Sequence, residues 1–500
     1  MTPEPNIPYV PYVPYVEVHE THTGVVVLAG DRAFKAKKPI LTDFLDFRTA
    51  EQRERACRKE VELNSRLSPQ SYFGVAYLSD PGGGPAEPIV VMRRYHDDDR
   101  LASMVTRGRD EPVRGVLDAI AAVVARFHRH ARRGPVIDAQ GEAGAVERRW
   151  RENLSELDRY AGAPSPAVSI ESLSRIRRLA TEFVSGREPL FKRRVEEGFI
   201  VDGHGDLLAD DIFWVRGEPA LLDCLEFDDE LRYVDCVDDA AFLAMDLEFL
   251  GRKDLGDYFL ERYALHSADS APSSLRDFYT AYRAVVRAKV DCVRLSQGKS
   301  AAAQDAARHL AIAVEHLQNG GVRLALVGGN PGTGKSTLAR TLAEKTGAQV
   351  ISTDDVRREL RESGVISGAP GVLDQGLYSR DNVVTVYEAA LRRARPLLRD
   401  GKSVILDGTW RDPHMRAHAQ RLASETHSAI VELMCSATDD AAAGRIKTRR
   451  PGNSEVTPEI AAALAAQRAG WNTAHRIDTS QPPERSATEA HDAWRRAVTE

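Results

Sequence analysis

The sequence contains few cysteines, and it contains no long apolar run. It has five cysteines, an odd number, and none of them belongs to a C-x-x-C pair. This usage indicates buried thiols in a reducing compartment. No apolar stretch approaches the length of a transmembrane helix. Residues 1–5 lack the basic and apolar regions of a signal peptide. We therefore expect a cytoplasmic protein with no membrane partner.

A strong excess of charge of one sign is also missing. The formal net charge is −6, with 42% hydrophobic and 28% charged residues, which is ordinary for a soluble globular protein. This balance argues against broad binding to nucleic acid, so we expect no nucleic-acid partner, although a local basic pocket remains compatible with it. The length of 500 residues predicts about two to four domains.

The most specific motif is a complete G-x-x-x-x-G-K-[ST] phosphate-binding loop, followed by a threonine. Its residues are Gly329, Asn330, Pro331, Gly332, Thr333, Gly334, Lys335, Ser336 and Thr337. The run 322–327 before it predicts a buried strand, and the run 336–343 after it predicts a helix. The glycines let backbone N–H groups approach phosphate oxygens, and the helix N-terminus adds a positive dipole end. We expect the loop to bind a nucleoside triphosphate, with Lys335 reaching the β- and γ-phosphates and Ser336 holding Mg²⁺.

Two further predicted strands end in carboxylates that suit a phosphate loop. The strand that begins at Ser403 ends in Asp407, which would be the usual partner of the Mg²⁺ site in such a loop. The strand that begins at Gln349 ends in Ser-Thr-Asp-Asp and opens a helix. Asp354 would then face the γ-phosphate and accept a proton from an acceptor hydroxyl, and Arg357 could bind an anionic acceptor. A pure helix-cap role for this segment is the alternative.

A basic segment follows the predicted strand 430–435. It reads Arg-Ile-Lys-Thr-Arg-Arg over 445–450 and looks like a lid whose Arg445 and Arg449 close on the phosphates during transfer; a solvated basic helix end is the alternative. Together the segments of 321–500 resemble small P-loop metabolite kinases of the gluconate-kinase and chloramphenicol-phosphotransferase kind. This resemblance implies an α/β P-loop fold with a parallel sheet.

A second chemical cluster precedes the phosphate loop. The run 201–206 reads Val-Asp-Gly-His-Gly-Asp, Asp211 follows, and Asp223 comes after an apolar pair. This order resembles the catalytic loop and second metal-binding position of aminoglycoside-phosphotransferase-like kinases, over roughly 19–295. The resemblance implies an α+β bilobal protein-kinase-like fold in which Asp206 orients the acceptor hydroxyl and accepts its proton. It also implies that Asp211 and Asp223 hold Mg²⁺ against the ATP phosphates, and hard oxygen ligands suit that ion.

The same resemblance assigns residues in the small lobe. Lys35 falls where the family places its phosphate-binding lysine, and Glu60 falls where a helix glutamate pairs with that lysine. Lys37 is a rival for Lys35, since alternate strand residues share a face. Asp235 and Asp239 match the aspartates that follow the metal site.

Two departures from the family pattern stand out. The family usually has asparagine where this chain has Asp211, and the aspartate adds negative charge beside ATP. The loop 20–24 carries no G-x-G-x-x-G. The alternatives are that His204-Gly205-Asp206 is a structural turn, or that the domain binds nucleotide without catalysing transfer. His128, on a predicted helix beside apolar residues, is expected to be structural.

Local patterns also predict the elements that carry these residues. We expect strands over 23–28, 33–37 and 88–93 and helices over 49–67 and 301–318, with mostly helix between 100 and 318 except for 199–225.

The predicted domains are an extended Pro-Tyr-Val lead-in over 1–18, a kinase-like domain over 19–318 and a P-loop kinase-like domain over 319–500. The kinase-like domain divides into a small lobe, 19–98, and a helical lobe, 99–318. The predicted function is ATP-dependent and Mg²⁺-dependent phosphorylation of a hydroxyl on a small molecule, with two potential Mg–ATP sites. One alternative is an ATPase or nucleotide-sensing regulator whose first domain only binds. A polynucleotide or protein kinase is a weaker alternative, because the net charge is acidic.

Overall fold

The computed structural model describes residues 16–20, 24–41, 46–79, 82–107, 110–162, 168–369, 375–447 and 470–498. The chain divides into two compact units by its internal contacts. The first is Met1–Gln140 with Gly198–Ser270, and the second is Gly141–Glu197 with Ala271–Glu500.

The described strands, in chain order, are β1 (Val16–Glu20), β2 (Gly24–Ala29), β3 (Arg32–Lys37), β4 (Tyr72–Leu78), β5 (Glu87–Arg93), β6 (Ile200–Asp202), β7 (Ile212–Val215), β8 (Glu218–Leu221), β9 (Tyr233–Asp235), β10 (Arg323–Gly328), β11 (Gln349–Ser352), β12 (Val404–Asp407), β13 (Ala429–Ser436) and β14 (His475–Asp478).

The described helices are α1 (Ala50–Asn64), α2 (Leu101–Arg107), α3 (Asp110–His130), α4 (Pro135–Asp138), α5 (Ala143–Asp158), α6 (Ile170–Gly186), α7 (Glu188–Glu196), α8 (Cys236–Phe249), α9 (Lys253–Ser267), α10 (Ser273–Ser296), α11 (Ala302–Asn319), α12 (Lys335–Thr346), α13 (Thr353–Glu362), α14 (Arg380–Arg399), α15 (Pro413–Glu425), α16 (Asp439–Lys447) and α17 (Pro483–Arg496). Short 3₁₀ turns occur at Asp97–Asp99, Ala139–Gly141, Ala209–Asp211, Glu230–Arg232 and Gly376–Tyr378.

The first unit contains a five-stranded antiparallel sheet in the order β1-β2-β3-β5-β4. The predicted hairpin is present as β2 and β3, and its turn holds Gly30 at φ +59°, a conformation that favours glycine. β1 begins at Val16, so the end of the predicted lead-in pairs with β2, whereas residues 1–15 lie outside the described part of the chain. Sequence patterns did not predict β4.

Helix α1 packs against β4 and β5 of this sheet. Thr49 begins it with a capping box, because its hydroxyl accepts from the Gln52 amide and the Gln52 side chain accepts from the Thr49 amide. Its buried face includes Cys57, which forms a small core with Tyr72 and Val90. The helix thereby presents one side to the sheet, and Glu60 lies on that buried side.

The rest of the first unit is mainly helical, as predicted. Two short antiparallel pairs, β6 with β9 and β7 with β8, interrupt the helices. β9 lies outside the interval predicted to be non-helical; its Asp235 ends the strand and caps α8, because the carboxylate accepts from the Val237 amide. α8 and α3 both pack on α9.

The second unit contains a five-stranded parallel sheet in the order β11-β12-β10-β13-β14. The predicted parallel α/β fold is therefore confirmed. β10, β12 and β13 match the strands expected around the phosphate loop, and α12 matches the helix expected after it. α12 and α17 cover the sheet, and the core between them includes Val327, Leu338, Ile405, Leu433 and Trp494.

Helices α5, α6, α7, α10 and α11 belong to this second unit. The Arg187 guanidinium, just after α6, donates to the carbonyls of Thr426 at 2.5 Å and His427 at 3.1 Å. The Ser274 hydroxyl donates to Gly401 O at 2.6 Å. The two compact units therefore divide the chain at other places than the predicted domain boundary at 318–319. That boundary stays a prediction.

The helix before that boundary, α11, ends at Asn319, one residue after the predicted end at 318. Gly320 caps α11 at φ −74°, which any residue can adopt. A β-carbon there would lie 2.7 Å from Asp277 Cβ, so close packing against α10 requires the glycine. Among the described residues, no helix combines the length and apolar character needed to cross a bilayer.

Candidate functional site

The phosphate loop, residues 329–334, connects β10 to α12 in a conformation that depends on glycine. Gly329 has φ +132°, and a β-carbon there would lie 2.4 Å from Cys435 O. Gly332 has φ +79°, and its β-carbon would lie 2.5 Å from Ala442 O. Backbone strain and contact with neighbouring carbonyls both exclude side chains. The loop can therefore present backbone N–H groups at the start of α12.

Lys335 opens α12, and its ammonium donates to Asn330 O at 3.0 Å, folded back on its own loop. Ser336 is exposed in the same first turn, where its hydroxyl is accessible to a bound ion. Thr333 also fixes the loop, since its hydroxyl donates to Asn330 O at 2.7 Å. Thr479, after β14, donates to Thr333 O at 2.6 Å. Sequence reasoning missed Thr479, because its distance along the chain hides this contact.

Asp407 lies where the sequence predicted it, at the end of the strand next to β10. Its Cα pairs with Val327, one residue before the glycines begin, and only 5% of the residue is exposed. Burial raises the pKa of the Cys435 thiol to about 12; the Lys335 cation lowers it and the Asp407 carboxylate raises it further. Lys335 and Asp407 therefore lie within electrostatic range of the same buried group.

Asp354 follows β11, and Arg357 engages its carboxylate at 2.6 Å. The cap of α13 is Ser352, whose hydroxyl accepts from the amides of Asp354 and Asp355. The cap alternative thus applies to Ser352 rather than to Asp354. The Arg357 guanidinium also lies 4.8 Å from the Tyr378 ring centroid. Asp354 and Arg357, both predicted to act on the acceptor, are thus paired with each other.

Arg445, in α16, reaches back to the phosphate loop. Its Nη1 lies 3.4 Å from Gly332 O, and its Nη2 donates to Thr479 O at 2.7 Å. Arg445 therefore contacts the phosphate loop, and its role at the phosphates stays a prediction. Arg449, the second predicted lid arginine, lies outside the described residues.

Tyr387 is a further residue of this region that the sequence did not indicate. Its hydroxyl lies 3.1 Å from Thr409 Oγ1 and accepts from the amides of Thr409 at 3.0 Å and Trp410 at 3.1 Å. Trp410 is fully buried at φ +51°, an unusual conformation for a bulky residue. Tyr387 therefore holds the segment that directly follows Asp407.

The first unit holds the second candidate site, and its centre is Lys35. The Lys35 ammonium lies 2.9 Å from Glu60 Oε1, so the predicted approach of this pair is confirmed. It also lies 2.6 Å from Asp223 Oδ1. Burial alone would lower the pKa of Lys35, but Asp223 and Glu60 outweigh that effect and raise it well above its usual value. Lys35 thus remains a cation beside the predicted metal ligand.

Lys37 is bound to the same glutamate. Its ammonium lies 2.6 Å from Glu60 Oε2 and also pairs with Glu226. Burial would raise the pKa of Glu60, but the two lysines outweigh it, so the pKa lies below its usual value. The side chain of Lys37 is fully buried, whereas that of Lys35 is 12% exposed and borders Asp223. Of the two rivals, Lys35 is the one that faces the predicted metal position.

The turn that carries Asp206 is held in place by Asp239. The Asp239 carboxylate accepts from the amides of His204 at 2.7 Å and Gly205 at 2.9 Å, and it lies 2.9 Å from His128 Nε2. Burial would raise the pKa of Asp239, but these hydrogen bonds and the histidines depress it. His128 is 2% exposed and also bonds the Tyr263 hydroxyl at 2.8 Å, which supports its expected structural role.

Asp206, Asp211 and Asp223 interact with one another electrostatically. Burial, followed by the charges of Asp223 and Asp206, raises the pKa of Asp211 well above its usual value. Asp211 O accepts from the Leu222 amide at 2.9 Å, which ties it to the segment of Asp223. Asp223 itself has φ +60°, a strained conformation for a residue with a side chain. Their mutual repulsion is what a bound cation would relieve.

The donor chemistry of these carboxylates fits magnesium. No group of three or more His, Cys, Asp or Glu side chains in the described part of the chain is arranged to hold a metal alone. Mg²⁺ is usually held by one or two carboxylates together with substrate phosphates and water. Asp211 and Asp223 satisfy that smaller requirement, so both stay predicted ligands.

Three neighbours of the 221–224 segment escaped sequence reasoning. Asn64 Oδ1, at the end of α1, accepts from the Cys224 amide at 2.8 Å. Ser68 Oγ accepts from the Leu221 amide at 2.8 Å, and the Tyr72 hydroxyl accepts from the Asp223 amide at 3.3 Å. These contacts join distant parts of the chain, so no local pattern reveals them.

Comparison with known proteins agrees with the two-part organisation. A family model described as an AAA domain matches residues 324–471. The chain is 70% identical over 478 residues to the uncharacterized protein Rv2004c of Mycobacterium tuberculosis and to the uncharacterized protein Mb2027c of Mycobacterium bovis; each alignment covers 96% of this chain and 95% of the relative. An adenylate kinase of Paracoccus denitrificans is 35% identical over 116 residues, which cover 23% of this chain and 51% of that enzyme.

Two solved structures also match parts of the chain. The GDP complex of wild-type aminoglycoside 2'-phosphotransferase-IIIa matches at 15% identity with a TM-score of 0.40, covering 62% of this chain and 94% of that one. A sugar kinase from Janibacter sp. HTCC2649 matches at 18% identity with a TM-score of 0.28, covering 36% of this chain and 99% of that one.

Proposed function

The chain belongs to the family of these mycobacterial relatives and combines an aminoglycoside-phosphotransferase-like part with a P-loop part, and on that premise we propose that it is an ATP-dependent phosphotransferase. The acceptor is a hydroxyl on a small molecule, and the chain has two sites for Mg–ATP. The observation that carries the proposal is the pairing of Asp407 with Val327, which brings a buried carboxylate beside a complete phosphate loop. The partial similarity to an adenylate kinase supports the same class of reaction.

In the P-loop part, the glycines of the loop position backbone N–H groups around the phosphates, and Lys335 leaves Asn330 O to bind the β- and γ-phosphates. Ser336 and Asp407 would hold Mg²⁺, which would supply positive charge against the phosphates. Asp354 accepts the proton of the acceptor hydroxyl after Arg357 turns toward an anionic acceptor. Arg445 stabilises the transferring phosphoryl group from its position beside the loop; Arg449 is assigned the same role from the sequence alone.

In the first unit, Lys35 binds the ATP phosphates and Glu60 orients it. Asp223 and Asp211 would hold Mg²⁺, an ion that prefers such hard oxygen ligands. Asp206 orients the acceptor hydroxyl and accepts its proton. The support for these roles is the pairing of Lys35 with both Glu60 and Asp223, together with the hydrogen bonds by which Asp239 fixes the turn before Asp206.

A nucleotide-sensing or ATPase role is the second candidate, and Asp211 favours it. Where related kinases carry a neutral amide, this carboxylate adds charge beside Asp206 and Asp223. Burial, followed by the charges of Asp223 and Asp206, raises the pKa of Asp211 well above its usual value. The first unit would then bind Mg–ATP without transferring phosphate, and the P-loop part alone would hydrolyse it.

The two candidates differ in their need for an acceptor. The full chain is incubated with Mg–ATP and a fractionated metabolite extract, and mass spectrometry searches for newly phosphorylated species while ATP consumption is recorded. Phosphotransfer predicts a phosphorylated product and ATP loss that rises with one fraction. ATP loss that is equal in every fraction, with no phosphorylated product, favours the ATPase. Lys335→Ala and Asp206→Ala assign any product to one of the two sites.

A further inference from the structure

The first unit contains a cavity of about 540 Å³ that neither nucleotide site uses. It lies between α1 and α3, and its lining includes Lys59 and Arg66 from the α1 side and Arg126 and Phe127 from α3. Arg132, just beyond α3, completes its basic wall. Small-molecule sites commonly have volumes of roughly 300–1,000 Å³, so the cavity is large enough for a metabolite.

The lining has an excess of positive charge in a chain whose net charge is −6. Four cationic side chains line the cavity, against the carboxylates of Glu62 and Asp202. Asp202 is already neutralised, because its Oδ1 lies 3.3 Å from Arg66 and 2.9 Å from Arg232. Outside the lining, Asp229 lies 3.8 Å from the Lys59 ammonium, and the Arg132 charge also acts on its carboxylate. The positive charge left to attract an anion is therefore mainly that of the Arg126 and Arg132 guanidinium groups.

Two of the arginines have unused hydrogen-bonding capacity. The guanidinium groups of Arg126 and Arg132 are exposed, and neither makes a hydrogen bond or an ion pair with any residue in the described ranges. Each guanidinium carries donors in a planar fork that matches phosphate oxygens. Both side chains line the same cavity, where they supply donors for an anion.

Arg66, a third arginine of the cavity lining, is held in place by hydrogen bonds. Arg66 donates to Leu63 O at 3.0 Å, to Asp202 O at 3.1 Å and to Gly203 O at 2.9 Å. Its guanidinium also lies 5.1 Å from the Phe127 ring centroid. Its charge is therefore held in place before any ligand arrives, which lowers the entropic cost of binding. Leu63, Leu67 and Val123 add an apolar wall.

We propose that this cavity is a binding site for a phosphorylated small molecule, separate from both nucleotide sites. The free arginines take the phosphate group, and the Phe127 side takes the carbon skeleton. Lys59 and Glu60 are consecutive residues of α1 and so point about 100° apart. Glu60 faces Lys35 and Lys37, so the cavity is on a different side of the helix from the nucleotide lysine.

Calorimetry with inorganic pyrophosphate tests the site in the full chain. Both nucleotide sites are first saturated with Mg²⁺ and a non-hydrolysable ATP analogue, at about 0.15 M salt to screen non-specific attraction. Wild type is expected to bind pyrophosphate, and Arg126→Glu combined with Arg132→Glu is expected to weaken it about tenfold or more, because two charge-assisted hydrogen bonds are lost. The milder Arg126→Gln with Arg132→Gln should weaken it in the same direction.

Arg55→Glu is the matched control, since Arg55 is also an exposed helical arginine of the first unit but does not line the cavity. It should leave pyrophosphate binding unchanged. No pyrophosphate binding by the analogue-loaded wild type, or equal weakening by Arg55→Glu and the double reversal, would overturn the proposal. Binding of a poly-glutamate peptide in place of pyrophosphate would overturn it as well, in favour of an acidic protein partner. Failure of the analogue to bind would instead count against the proposed function, and the arginine comparison would still decide the cavity.

Discussion

Lys37 and Glu60 form a buried ion pair, 2.6 Å from Nζ to Oε2, directly behind the pair of Lys35 with the same glutamate. With Asp223 at one end and Glu226 at the other, opposite charges alternate along this row of ion pairs. Glu60 is fully buried, so removing either lysine takes away one of the two cations that compensate its charge. The arrangement gives the two lysines different tasks, because only Lys35 borders Asp223.

The two lysines are therefore expected to respond differently to removal. In a Lys335→Ala background, which silences the phosphate loop, Lys35→Ala should abolish the remaining binding of a Mg–ATP analogue in calorimetry. Lys37→Ala should instead lower the unfolding free energy by about 3–5 kcal/mol, the usual result of breaking a buried pair. Lys38→Ala is the control, because Lys38 pairs with the exposed Glu20. Equal loss of binding in the Lys35 and Lys38 variants would contradict this assignment.

Asp407→Asn should shift the magnesium dependence of the P-loop site. The change keeps the shape of the side chain but removes the charge beside the loop, and residues that support a metal in this way are typically worth about 10–100-fold in metal affinity. Analogue binding is titrated with Mg²⁺ in an Asp223→Ala background, where the first unit does not contribute. Asp381→Asn, an exposed carboxylate of α14, is the control. Superimposable magnesium curves for wild type and Asp407→Asn would remove Asp407 from the site.

Asp239→Asn should destabilise the first unit in a pH-dependent way. The folded pKa of Asp239 is depressed, so its contribution to stability is present above its unfolded pKa and is lost as the pH falls through the folded pKa. The variant should cost about 1.5–3 kcal/mol at neutral pH, typical of hydrogen bonds to a charged group. The gap in melting temperature between wild type and variant should stay constant from about pH 7 to 5 and narrow below about pH 4. A difference in melting temperature that grows as the pH falls would contradict this prediction.

Tyr387→Phe removes one hydroxyl and leaves the buried Trp410 amide and the half-buried Thr409 amide without their acceptor. Unsatisfied buried groups cost about 1–3 kcal/mol each, so a clear fall in melting temperature is expected. Nucleotide affinity should fall as well, because the segment after Asp407 loses its anchor. A variant that melts with wild type and binds nucleotide equally would show that other contacts hold the segment.

Local sequence signals were enough for much of the fold. The glycine spacing and flanking apolar runs placed β10, the phosphate loop and α12, and apolar strands ending in polar residues placed β11 and β12. These predictions depend on short patterns whose physical cause lies within a few residues. The contact of Lys35 with Glu60 was anticipated only through the resemblance to aminoglycoside-phosphotransferase-like kinases.

What the sequence did not reveal depends on long-range packing. Thr479 supports the loop from the end of β14, and Asn64 reaches Cys224 from the end of α1. The second partner of Glu60 also escaped prediction, because strand alternation places Lys35 and Lys37 on one face but does not say that both reach one carboxylate. Such contacts are set by how elements pack, which no local window contains.

The number of nucleotides bound per chain shows whether both units hold Mg–ATP. Calorimetry of the full chain with Mg²⁺ and a non-hydrolysable ATP analogue should give two equivalents per chain. Lys335→Ala should reduce this to one, and the addition of Asp223→Ala should reduce it to none. A wild-type stoichiometry of one that Lys335→Ala alone abolishes would contradict the account, because the first unit would then hold no nucleotide.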